Sequence, residues 1–298
     1  MTTSRPRWLP RPGWLLIVPA ALLLGGTLGM PLWQSFWRSV HTVVPVGEPG
    51  TAQLTLEHYR ALFTDGVTLR VLARTGKAAA IVTVVALLLG YPYAYLMTRV
   101  GARARSVLVV LVLMPFWTSA LARNFGWLVL LYDGGLVQRF LGLFGLGDVV
   151  LYGTATGVTL AMSQVLLPYM VLPLYSSLGG IDRRLLLAAR SLGSPPLVAF
   201  WKVYWPLSRG GVAAGMILVF TLACGFYVTP ALIGSPRESL VAQLLGQRTT
   251  QLLDFAGAGA LGTLVLVVTL VLVAWANRVG GSMATIGAGF AGQTRSAR

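Results

Sequence analysis

Six uncharged apolar runs organise the chain, at 13–33, 78–97, 106–122, 156–178, 210–233 and 255–276, and every charged residue falls between or outside them. A helix needs about 20 apolar residues to cross the roughly 30 Å hydrocarbon core. Backbone groups in lipid must be satisfied within the segment, so these runs predict helices. The short alternating strands of a barrel are not seen. The run at 106–122 is the shortest. It should either borrow 127–132 from beyond the Arg123-Asn124 interruption or end as a broken helix. Trp14 and Trp33 bracket the first run, about 28 Å apart along a helix, which suits one indole at each interface. Arg5, Arg7 and Arg11 precede that run as they would a signal peptide. It is longer than a signal core and shows no small-x-small site, so it reads as a span.

Composition agrees. Of the 298 residues 56% are hydrophobic and 10% charged, against a usual charged share of roughly 25%. The mean hydropathy is +0.75. This excludes a soluble domain and predicts an all-α integral membrane protein with six transmembrane helices. Charge then sets orientation. With the N-terminus in the cytoplasm, the segments on that side hold 14 of the 23 Lys and Arg and only one acid, Asp182. The positive-inside rule therefore accounts for the net charge of +15 better than nucleic-acid binding does. Both termini fall in the cytoplasm. A tail at 1–12, a transmembrane body at 13–278 and a Gly/Ser/Thr-rich, disordered tail at 279–298 complete the organisation. In the outer segment, LTLEHYRALF predicts a short amphipathic helix lying on the membrane or the bundle, capped by Thr55.

The chemistry an enzyme needs is sparse. His41 and His58 share the first outer segment with Glu48 and Glu57 but lack convincing metal-ligand spacing. Gly76-Lys77 resembles the end of a phosphate-binding loop, yet position 71 is Val and position 78 is Ala. The single Cys224 reads as a packing residue. No acid lies in any run, whereas ion-coupled carriers often bind their ion through buried carboxylates. The strongest polar group at depth is Gln164, beside Ser163, which fits a helix–helix hydrogen bond or a lined path. We expect no catalytic group, metal or cofactor, and energy supplied from elsewhere.

The 179–209 segment, GGIDRRLLLAARSLGSPPLVAFWKVYWPLSR, carries the strongest pattern. Asp182 can cap a helix from Arg183. Leu185, Ala188, Ala189 and Leu192 share one face, and Arg183, Leu187 and Arg190 another. Gly193 can supply the left-handed residue that ends this helix. Ser194 can cap a second helix with Pro195 at its first position, ended by Pro206. Such a helix-turn-helix with small residues at its apex suits a plug that docks into a groove; an amphipathic loop on lipid headgroups fits as well.

The run LLLAARSLG followed by Phe200, Val203, Pro206-Leu207 and Gly211 resembles the EAA loop of binding-protein-dependent ABC importer permeases, and lies between spans four and five as theirs does. Ala188, Ala189, Gly193 and Pro206 match that pattern, while Leu187 stands where the family has Glu. LEHYRALF, FWTSALARNFGWLVLLYDGGLVQRFL and GFYVTPALIGSP are similar to the spermidine/putrescine branch, relatives of which carry ferric iron or other small solutes. The resemblance implies a complex with two ATP-binding subunits, a second permease subunit and an extracytoplasmic solute-binding protein. Coupling to the ATPase would fall to Arg183, Arg184, Leu187, Ala188, Ala189, Arg190 and Gly193. The path would draw on Trp117, Thr118, Asn124, Tyr132, Gln164, Tyr227 and Thr229, whose aromatic faces could hold a polyamine cation or serve only as anchors and packing. An ion-coupled secondary carrier or a membrane enzyme using His41, His58 or Glu48 are the rival readings.

Overall fold

The computed structural model describes residues 13–42, 53–145, 147 and 149–293. In chain order the helices are α1 (Gly13–Leu24), α2 (Met30–Ser39), α3 (Glu57–Thr64), α4 (Gly66–Arg99), α5 (Ala102–Trp117), α6 (Ala120–Leu131), α7 (Leu136–Gly142), α8 (Ala155–Gly179), α9 (Arg183–Ser191), α10 (Pro196–Ala199), α11 (Trp205–Cys224), α12 (Val228–Ile233), α13 (Val241–Thr250) and α14 (Phe255–Gln293). Among the described residues there is no strand beyond isolated bridges. Four stretches, Gly66–Arg99, Ala155–Gly179, Pro196–Cys224 and Phe255–Ala274, are long and apolar enough to cross a membrane. Ala102–Trp117 with Ala120–Gly142 makes a fifth if the pair, bent by 99°, counts as one span. Two compact units emerge. One joins the residues up to Asp65 with Gln247–Leu266, and the other is Gly66–Gly246 with the chain from Val267.

The larger unit is built on α8, which α4 and α11 flank. Val158, Ala161, Met162, Leu166, Met170, Val171, Leu174 and Leu178 of α8 are all buried, so this helix is apolar nearly all round. Small residues let its neighbours approach. A Cβ on Gly90 of α4 would come to 3.0 Å from Met170 Cγ, and one on Gly215 of α11 to 2.7 Å from Met170 Sδ. Without a hydrophobic drive between helices in lipid, such close backbone packing is what holds them. At the other end of α4, Thr75 Oγ1 accepts the Val241 N–H at 2.9 Å and Arg74 pairs with Glu238 at 3.6 Å. These contacts tie the start of α13 to the bundle.

In the smaller unit the backbone is helical from Gly13 to Ser39, with a π-turn at Gly25–Gly29. The Ser39 and Tyr59 hydroxyls meet at 2.8 Å, and His41 stacks on Trp37 at 3.9 Å. Helix α3 forms where LTLEHYRALF predicts it, but its N-cap is Leu56 and not Thr55, whose Oγ1 accepts the Glu57 N–H at 3.1 Å from one residue further out. Its buried residue is Leu62, whereas Leu56 and Phe63 stay exposed. Arg248 joins Asp65 at 3.6 Å and Asp254 at 3.9 Å.

Several expectations need correction. The third run ends as a broken helix, one of its two expected outcomes, at Thr118-Ser119 after Pro115, and Arg123 and Asn124 interrupt nothing but continue inside α6. The fifth run is interrupted too: α11 ends at Cys224, and Gly225, Phe226 and Tyr227 separate it from α12. Pro195, not Ser194, is the N-cap of α10, and Pro196 takes the first helical position. Pro206 does not end a helix. A π-turn at Phe200–Tyr204 precedes it, so α10, the turn and α11 run on as one helical stretch, with Pro206 in the first turn of α11 where its missing N–H is tolerated. The segment expected to be irregular from 279 is helical in backbone to Gln293, in a stretch that contains no proline. The tail at 1–12, residues 294–298 and Glu48 lie outside the described residues.

Candidate functional site

Two regions hold the residues that the sequence singles out. The first is the 179–209 segment. Asp182 Oδ1 accepts the Arg184 N–H at 2.9 Å, so the expected N-cap forms. Gly193 has φ +82° and donates its N–H to Arg190 O at 2.9 Å, while Ser194 N–H reaches Ala189 O at 3.1 Å. This is the left-handed C-terminal closure that only glycine adopts without strain.

The faces of α9 differ from the expected ones. Leu186 and Ala189, three residues apart, turn partly inward, and Leu186 packs against the core. Leu185, Leu187, Ala188 and Leu192 face out, with Arg184 and Arg190 exposed beside them. Leu192 is 88% exposed, and Leu197 and Trp201 continue the uncovered apolar surface onto the second helix. Isolated exposed leucines are ordinary; a cluster on one element suits either a partner groove or the lipid headgroup region.

Behind this surface lies an aromatic lock. The Phe200 ring meets Tyr91 and Tyr95 edge-on at 6.1 and 6.0 Å, Tyr204 meets Tyr95 at 5.3 Å, and Trp205 meets Tyr91 at 5.3 Å. The Tyr91 and Ser208 hydroxyls lie 3.0 Å apart. Each pair of this kind contributes about 0.5–1.5 kcal/mol beyond its area. Phe200 and Tyr204 open and close the π-turn, and both rings face α4. The sequence carried this signal as Tyr at positions 91 and 95, one helical turn apart, facing the FWKVYW run.

The second region is polar and lies around α6, α8 and α12. Thr229 Oγ1 donates to Asn124 Oδ1 at 2.7 Å, and Asn124 Nδ2 donates to Ala120 O at 2.8 Å. Both side chains are buried, at 0% and 1% exposure. Gln164 Oε1 accepts the Trp127 indole N–H at 3.2 Å, which is the helix–helix bond its position suggested. Ser163 bonds back to Thr159 O within its own helix. Arg123, missed as a structural residue, donates to Pro115 O and so satisfies a carbonyl freed at the broken end of α5. Trp117, Thr118, Tyr132 and Tyr227 are exposed, and the Tyr132 ring lies tilted to that of Tyr152 at 6.0 Å. The region thus brings Asn124 and Thr229 together, places Gln164 near them through Trp127 on α6, and leaves the aromatic candidates open. Among the described residues no group of three His, Cys, Asp or Glu could hold a metal ion; His41 is engaged with Trp37 O at 2.8 Å.

Comparison with known proteins adds the following. Residues 83–280 match the family described as the binding-protein-dependent transport system inner membrane component. The spermidine/putrescine transport system permease protein PotB of Escherichia coli (strain K12) is 33% identical over 224 residues, 74% of this chain and 81% of its own length. The inner membrane ABC transporter permease protein YdcU of the same organism is 31% identical over 225 residues, 71% and 70% of the two chains. In fold, the chain is similar to a bacterial ABC transporter that imports the acidic polysaccharide alginate, with a TM-score of 0.68 at 16% identity over 90% of this chain and 94% of that one.

Proposed function

Because the chain belongs to the binding-protein-dependent transport system inner membrane components, the permeases of ABC importers, we propose that it forms the translocation path for a polyamine such as spermidine or putrescine. The likeness to PotB, 33% over 224 residues, is the observation that carries the solute. In this reading six spans place both termini in the cytoplasm. A second permease, sister or copy, completes the path, two separate ATPase subunits drive it, and an extracytoplasmic binding protein delivers the solute. The chain itself performs no catalysis.

The outer face of α9 then docks in the ATPase groove, with Leu187, Ala188 and Gly193 in contact, Arg184 and Arg190 at the rim, and Arg183 and Ala189 beside them. Ala189 turns partly inward, so its part is to seat α9 on the body. ATP-driven closure pulls the segment. The ring contacts of Phe200 and Tyr204 with Tyr91 and Tyr95 pass that displacement to α4 and α11, since packed cores switch between arrangements and do not deform smoothly. The energy comes from contacts that differ between two states of the partner. Along the path, the exposed Trp117, Thr118, Tyr132 and Tyr227 meet the cation through ring faces and a hydroxyl. Asn124 and Thr229 fasten α12 to α6, and Gln164 holds α6 to α8 through Trp127.

Uptake of labelled spermidine into cells lacking their own polyamine importers, expressing this chain with its partner subunits, tests the reading. Uptake that needs both the ATPase and the binding protein supports it. Uptake by this chain alone would favour an ion-coupled carrier.

A further inference from the structure

We propose that the cavity between the α4–α5 turn and the end of α8 is a phosphate site that takes the headgroup of an anionic membrane phospholipid. The cavity measures about 170 Å³ and is lined by Thr98, Arg99, Arg105, Tyr175, Ile181 and Tyr204 among others. Its position follows from the sequence. Arg99 closes α4 just after the uncharged run that ends at 97, and Arg105 precedes the uncharged run that starts at 106. Both guanidinium groups therefore stand where two spans meet the polar edge of the bilayer, the level of lipid phosphates.

The electrostatics favour an anion. Arg105 Nη2 reaches only Val100 O, at a long 3.3 Å, and its Nε is buried with no partner among the described residues. Arg99 is held over the Tyr95 ring at 4.8 Å, which orients its charge without neutralising it. Asp182, next in sequence to the lining residue Ile181, spends its Oδ1 on the Arg184 N–H. A planar guanidinium matches two phosphate oxygens at once, and Arg105 has an N–H left for them. The size excludes an acyl chain. The tails would instead run along the exposed Leu96, Val107 and Leu111 on the outer faces of α4 and α5. Tyr175 from α8 and Tyr204 from the π-turn complete the lining, so a bound headgroup bridges α4, α5 and α8 to the segment beside α9. The proposal does not depend on which solute is carried.

Native mass spectrometry of the delipidated full-length chain, titrated with phosphatidylglycerol, phosphatidylcholine or inorganic phosphate, tests it. We expect one phosphatidylglycerol to bind at least about tenfold tighter than phosphatidylcholine, because the choline of the latter sets a fixed positive charge beside two guanidinium groups. Arg105→Gln and Arg99→Gln should each remove that preference, and Arg103→Gln, outside the cavity lining, should keep it. Arg99 is exposed, so its variant folds even if the Arg105 variant does not. Equal binding by all variants would overturn the site. Displacement of the lipid by millimolar inorganic phosphate would overturn the lipid as its occupant, and so would its loss from the wild-type chain when the ATPase subunit binds.

Discussion

The hydroxyl of Thr229 donates to the side-chain carbonyl of Asn124 at 2.7 Å, across 105 positions of sequence and with both side chains buried. The bond joins two interrupted elements: α6 follows the break after α5, and α12 follows the break after α11. Neither helix is long enough to be held by its own length. A side-chain bond between them fixes how the two short helices lie together.

Thr229→Val keeps the shape and leaves Asn124 Oδ1 without its donor. Bonds of this kind in membranes average about 0.6 kcal/mol and reach about 1.7. The burial places this one at the upper end, so we expect a loss of about 1–2 kcal/mol. Unfolding in mixed micelles, followed by tryptophan fluorescence, measures it. In a double-mutant cycle Asn124→Leu with Thr229→Val should cost less than the sum of the single changes.

Two adjacent glycines in α11 should behave oppositely. A Cβ on Gly211 would overlap Ser177 Cβ on α8, whereas a Cβ on Gly210 meets open space. Gly211→Ala should therefore push α11 away and cost about 1–3 kcal/mol. Gly210→Ala should be neutral or slightly stabilising, since it removes glycine from a helix interior. The same unfolding assay compares them at matched yield.

The aromatic lock should be separable from docking. Phe200→Ala removes the ring that meets Tyr91, Tyr95 and Tyr204, but leaves the outer face of α9 intact. We expect the ATPase subunit still to co-purify while solute-stimulated hydrolysis and uptake both fall by at least about tenfold, from a loss of roughly 1.4 kcal/mol or more in coupling. Hydrolysis assays on the co-purified complex check this.

Leu187 stands 60% exposed, flanked on its own helix by the exposed Arg184 and Arg190. A Glu there could pair with these arginines, worth about 0.3–0.5 kcal/mol each in solvent. If the partner's groove has become apolar to meet Leu185 and Leu187, then Leu187→Glu should impair uptake even though it restores the family residue. Equal uptake at matched expression would show a groove that still accepts the carboxylate.

The apolar runs made the helical membrane body legible, because length and the absence of charge report directly on span-forming helices. The cap at Asp182 and the Gly193 closure were legible because each is a local geometric need met by one residue type; the position of α3 was legible too, but its N-cap is Leu56 and not Thr55. What the sequence hid was tertiary. Pro206 reads as a stop unless one knows that a π-turn precedes it. The outward face of α9 is set by Leu186 packing on the core, not by its helical pattern alone. Hydrophobicity also could not separate Asn124 and Thr229, which close on each other, from Trp117 and Tyr227, which remain open. The Arg99–Arg105 cavity was counted in the sequence only as positive charge marking one side of the membrane.

The central claim is that this chain is the passive half of a machine whose energy enters through α9. The most direct measurement is ATP hydrolysis by the complete complex in proteoliposomes, with the binding protein loaded with spermidine, for wild type and Ala188→Arg. Ala188 is exposed on α9, so the arginine should leave folding and insertion unchanged while blocking close approach. The account predicts strong stimulation by the loaded binding protein in wild type and none in the variant, with equal amounts of chain in the membrane. Full stimulation in Ala188→Arg, or spermidine transport by the chain with no ATPase present, would contradict it.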